Sequence, residues 1–132
     1  MNKTLKELKK EEALKAEAKL KKACESLVVE RYGEEQVNQW EKEYKGLWYL
    51  PITEEDGTIL AIGIMKPITR SVLSYASTKI SEEGLYEFLE AAMRACWIEG
   101  DEAILDDDAY FIPASQTFNK MMEGYNAALV KR

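Results

Sequence analysis

Apolar residues recur along this chain at two different periods, and the change of period marks out its elements. From Thr4 to about Tyr32 the segment is built from Ala, Leu, Lys and Glu without a single Gly or Pro, which favours a long helix. Leu5, Leu8, Ala13, Ala16, Leu20, Ala23 and Leu27 follow at three- and four-residue steps and predict a thin apolar seam for packing on one neighbour. Gly33 is placed to stop this helix. Residues 34–45 put Val37, Trp40 and Tyr44 on one face of a second, shorter helix that ends before Gly46.

The period then falls to that of a strand. Residues 47–52 and 58–65 are aromatic or β-branched runs on either side of Glu54-Glu55-Asp56-Gly57, and Asp-Gly at the tip predicts a hairpin over 47–66. Pro51 cannot donate to a ladder, so the first strand belongs at an edge. After Pro67 the helical period returns over about 68–79, with Val72, Leu73 and Ala76 inward. Ser81-Glu82-Glu83 reads as the start of a helix over 82–98, whose Leu85, Phe88, Leu89, Ala92, Met93 and Cys96 make the best amphipathic face in the chain, with Gly100 beyond it. Asp106-Asp107-Asp108 predicts the cap of a last helix over 108–130, with Phe111, Phe118, Met121, Met122, Tyr125 and Leu129 at helical spacing. Pro113 requires that helix to begin near it or to kink there. The expected fold is therefore α+β and mostly α-helical: a charged N-terminal helix or arm over 1–33, then one compact domain over 34–132 with a hairpin and a C-terminal helical body.

Composition adds what this chemistry can be. The chain has 132 residues, a formal net charge of -6 and no histidine. Without imidazole there is no Ser-His-Asp or Cys-His pair and no histidine metal ligand. Cys24 and Cys96 have no Cys-x-x-Cys spacing and read as reduced, buried thiols. The carboxylates at 101–102 and 106–108 miss the EF-hand pattern and suit helix capping. The glycines form neither a dinucleotide nor a P-loop fingerprint. No enzyme, metal or cofactor is expected.

Charge is unevenly placed. Residues 1–25 carry eight lysines and five glutamates, whereas 81–109 hold ten acids against the single Arg94. The basic arm has interleaved glutamates and no aromatic residue, so it does not fit nucleic acid or a membrane surface. No apolar run approaches the length of a membrane span, and a cytoplasmic protein is expected. The candidates for partner binding are the Leu5/Leu8/Leu20 seam, Trp48 on the edge strand, and the adaptable side chains Met65, Met121 and Met122. The hairpin edge and the N-terminal helix are the candidate surfaces for a homo-oligomer.

One family resemblance extends this reading. The strand ending Leu60-Ala61-Ile62-Gly63-Ile64-Met65-Lys66-Pro67, Thr69-Arg70 opening a helix, the helix ending Cys96-Trp97, and Gly100-Asp101-Glu102 with Asp107-Asp108 and Phe111 before a last helix together resemble the small tail assembly chaperones of long-tailed bacteriophages. The resemblance covers about half the chain, from Thr58 to about Tyr125, and has no counterpart for the charged N-terminal helix or the Trp40–Tyr44 segment. It implies a protein that binds the long, aggregation-prone tape measure protein during tail formation, in the host cytoplasm, without covalent chemistry. A structural particle subunit, such as a connector or capsid accessory protein, and a small regulatory adaptor are the competing expectations.

Overall fold

A computed structural model describes residues 4–78, 84–122 and 128–132. Helix α1 spans Leu5–Tyr32 and opens on a reciprocal cap. The Thr4 hydroxyl accepts from the Glu7 N–H at 3.1 Å, and the Glu7 carboxylate accepts from the Thr4 N–H at 3.2 Å. Gly33, at φ 87°, ends it by donating to the Val29 carbonyl at 2.8 Å. Helix α2 (Glu34–Tyr44) follows at once.

Strands β1 (Trp48–Thr53) and β2 (Ile59–Met65) form the expected hairpin. Its tip is closed by the Gly57 N–H donating to the Glu54 carbonyl at 2.9 Å, and by the Asp56 carboxylate accepting from the Thr58 N–H at 2.9 Å. Helix α3 (Arg70–Ser77) is capped by the Thr69 hydroxyl. Helix α4 (Leu85–Cys96) begins after Gly84 without a side-chain cap, and its first turn carries Glu87; the expected Glu82 and Glu83 lie outside the described residues. The expected Ser81 cap lies outside the described residues.

Where the sequence predicts α4 to continue to residue 98, the chain instead turns into strand β3 (Trp97–Gly100), antiparallel to β2. The sheet order is β1-β2-β3, so β1 occupies the edge that Pro51 demands. Trp97-Ile98 suits either structure. The open side of β2 decides, because its backbone groups would otherwise be buried without partners. A single helical turn, α5 (Ala103–Asp106), leads to α6 (Asp108–Met121), capped by the Asp107 carboxylate accepting from the Ala109 N–H at 3.0 Å. Helix α6 begins upstream of Pro113 and carries it inside. It does not reach residue 130. Residues 128–132 have no helical structure, and Leu129 is fully exposed. Tyr125 lies outside the described residues.

Alternation along β2 gives the molecule its layers. Ala61 and Met65 point with Leu50 and Ile52 into a core made by α3, α4, α5 and α6, centred on Leu89, Met93, Cys96, Ile104 and Phe118. Ile62 and Ile64 point the other way, against Cys24 and Val28 of α1 and Val37 of α2. The sheet is thus covered on both faces, which is why β2 reads as an unbroken apolar run. Gly63 permits this closeness: a Cβ there would stand 2.4 Å from the Trp97 ring. Asp101 joins the layers. Its backbone N–H donates to the Ile62 carbonyl at 2.9 Å, and its carboxylate accepts from the Ile62 N–H at 2.8 Å and from Arg31 at 3.1 Å.

Candidate partner-binding surfaces

The face of α1 that packs on the sheet carries Leu20, Cys24, Leu27 and Val28, all within about two turns. Continued towards the N-terminus, the same face runs past the end of the sheet. Ala13, Ala16 and Ala23, expected on the packing seam, are all exposed. Leu5, Leu8 and Leu14 are exposed by 69%, 44% and 57%, so the first four turns of α1 extend beyond the body as an arm. From Leu20 to Leu5 the helix rises about 22 Å at 1.5 Å per residue.

Between α1 and the edge strand β1 lies an open groove of about 630 Å³. Leu20 and Cys24 form one wall, and Leu47, Trp48, Tyr49 and Pro51 form the other, with Glu17, Lys21, Glu25 and Glu41 at the rim. The Tyr49 hydroxyl donates to the Glu25 carboxylate and ties the walls together. Burial, and then that carboxylate, push the Tyr49 phenol well above its ordinary value. Burial pushes the Cys24 thiol up as well, so it sits in the wall as a protonated, weakly reactive group.

Pro51 sets the character of the β1 edge. It is paired with Ile62, whose N–H and carbonyl both turn away from β1 to Asp101. Position 51 therefore faces outward in the ladder, and a strand added to this edge would meet no donor there. That makes the hairpin edge, one of the expected oligomer surfaces, a poorer template for a second strand.

The candidates from the sequence divide accordingly. Leu20 and Trp48 meet in one groove, and Trp48 is half exposed. Leu5 and Leu8 lie on the arm. Met65 is a correction: at 2% exposure it is a core residue of the opposite sheet face and offers nothing to a partner. Met121 and Met122 are half-buried against that same core, across the sheet from the groove. The contributions of Leu47 and Pro51 escape a sequence reading, because Pro51 signals an edge and nothing in a linear pattern places α1 beside it.

A second cleft, of about 470 Å³, lies on the far side of the molecule between α4 and α6. Tyr86 and Phe111, tilted against each other with ring centroids 6.4 Å apart, line it with Ile112 and Leu105. Glu87, Glu90, Asp106 and Asp108 rim it. Arg94 bridges Asp106 at 3.0 Å and Glu90 at 3.3 Å. Among the described residues no group of His, Cys, Asp and Glu could hold a metal ion, and no helix is long and apolar enough to cross a membrane. Comparison of the chain with protein-family models, curated proteins and solved structures finds no match.

Proposed function

We propose that this chain is a non-enzymatic protein-binding factor of the tail assembly chaperone kind, which holds a helical segment of a long partner in the groove between α1 and β1. The observation that carries the reading is the meeting of Leu20 with Trp48, Leu47 and Pro51 across a trough that no described element covers. An amphipathic helix laid in such a trough buries its apolar stripe while the charged rim keeps the complex dispersed. A strand is the poorer guest, because Pro51 withholds its donor. The resemblance over Thr58 to about Tyr125 supports the more particular form, in which the partner is a tape measure protein and the site of action is the host cytoplasm.

The test is co-expression with the long helical protein encoded nearby, followed by pull-down and light scattering. The client is expected to stay dispersed and to copurify. Trp48→Ala, and separately Leu20→Glu, should weaken capture by about tenfold or more, the loss of one buried apolar side chain. Thermal unfolding of Trp48→Ala should stay close to the parent. A client that remains insoluble and unbound beside folded parent protein overturns the reading. Stoichiometric copies of the chain in purified particles would overturn the chaperone form in favour of a structural subunit.

A further inference from the structure

The arm and the far cleft are covered by no other helix or strand among the described residues, and their chemistries are complementary. On the arm, Leu5, Leu8, Lys9, Glu12, Lys15 and Lys19 share one face by their three- and four-residue spacing. That face presents two exposed leucines among three lysines and one glutamate. The cleft presents the reverse: an apolar floor from Tyr86, Phe111 and Ile112 under four carboxylates and one guanidinium. Tyr86 is 47% exposed and Ile112 45%, so the floor is open to solvent. Arg94 is engaged by Glu90 and Asp106, and among the described residues no cation pairs with Glu87 or Asp108.

A chain cannot satisfy its own cleft. Helix α1 is fastened to the Ile62/Ile64 face of the sheet, whereas α4 and α6 build the opposite face. The arm leaves the body as a continuous helix from a capped start, so it cannot fold round the sheet without losing helical turns. We propose that the arm of one copy docks in the Tyr86–Phe111 cleft of a second copy, seating Leu5 and Leu8 on the apolar floor and bringing lysines to Glu87 and Asp108. The contact is heterologous, since each copy offers one arm and one cleft. A single arm lies at the small end of protein interfaces, so one contact is weak, and reciprocal docking between two copies doubles it.

The full chain is examined by sedimentation velocity and light scattering from micromolar to millimolar concentration. Its weight-average mass should rise above the monomer value of 15.1 kDa. The rise should fall away in 1 M salt, where the screening length is about 3 Å. Two full-length variants locate the surfaces: Leu5→Glu with Leu8→Glu on the arm, and Glu87→Lys with Asp108→Lys on the cleft. Each should weaken association by about tenfold or more while keeping the parent's helical circular dichroism. Mixed together they should form one-to-one pairs, because each retains the half that the other has lost. If the cleft variant loses its helical signal, Tyr86→Ser on the exposed wall takes its place. A parent that stays monomeric throughout, a folded variant that associates like the parent, or two folded variants that fail to pair would each overturn the proposal.

Discussion

The two faces of the sheet use the same strand for opposite ends. On the C-terminal side, Met93, Cys96, Ala92, Ala76 and Ile104 have no exposed surface, and three helices and a turn close the layer. On the N-terminal side Val28, Ile62 and Ile64 are as deeply buried, but the layer stops there. Around them Leu20, Leu47, Tyr49 and Trp40 are only half covered, and α1 overshoots the sheet. The first face has side chains enough to close a core. The second has enough to fasten one helix, and what remains is a groove and an arm. Stability therefore resides mainly on one side of β2, and the groove against the edge strand lies on the other.

The largest expected effect tests that division directly. Ile104→Ala, in the closed core, should destabilise by about 4–5 kcal/mol in urea denaturation, whereas Ile64→Ala on the other face, beside the open groove, should cost about 2–3 kcal/mol. A larger loss from Ile64→Ala than from Ile104→Ala would reverse the assignment of the two faces.

Asp101 sets the next magnitude, because it joins β2 to the end of β3 and to α1. Asp101→Ala leaves the Ile62 N–H without its acceptor, a loss of about 1–3 kcal/mol. Arg31→Ala should cost only about 0–1 kcal/mol, since the Arg31–Asp101 pair is more than a third exposed on both sides. Equal losses from the two variants would place the energy in the ion pair rather than in the backbone tie. Gly63→Ala should cost about 1–3 kcal/mol through overpacking against Trp97. A shift in tryptophan emission should accompany it.

These sites also show what a linear pattern reveals. The stop at Gly33, the Asp-Gly hairpin, Pro51 at an edge and the Asp107 cap are local devices, and each is legible because its partners are neighbours in sequence. Strand β3 is not: Trp97–Gly100 follows a helix without a breaker and becomes a strand only because β2 offers it a ladder. Leu129 fits the spacing of α6, yet it is fully exposed, and among the described residues nothing packs on it. Ala13, Ala16 and Ala23 satisfied the seam, yet only the C-terminal turns of α1 have a sheet beneath them. Met65 read as an adaptable surface residue because an apolar run buried on both faces hides its own alternation. The groove unites Leu20 with Trp48, and the tie at Asp101 unites Arg31 with Ile62. Both depend on tertiary approach.

The last expected effect lies in the groove itself and concerns pH. The Tyr49 phenol is raised above its ordinary value of 10.0 by burial and by the adjoining Glu25 carboxylate. In the folded protein the neutral form is thus favoured, and the unfolded chain releases that proton first. The resulting stabilisation is complete below the ordinary phenol value and is lost progressively as pH rises above it. Tyr49→Phe removes a group that titrates differently in the two states. The parent should therefore lose stability more steeply than Tyr49→Phe from about pH 9 to 11, around the phenol range. At neutral pH the variant should give up only the Glu25 hydrogen bond, about 0.5–1.5 kcal/mol. Melting temperatures of both proteins across this range read the difference. A stability difference between parent and variant that stays constant through this range would mean that Tyr49 is not held against Glu25, and that the groove's two walls are joined by packing alone.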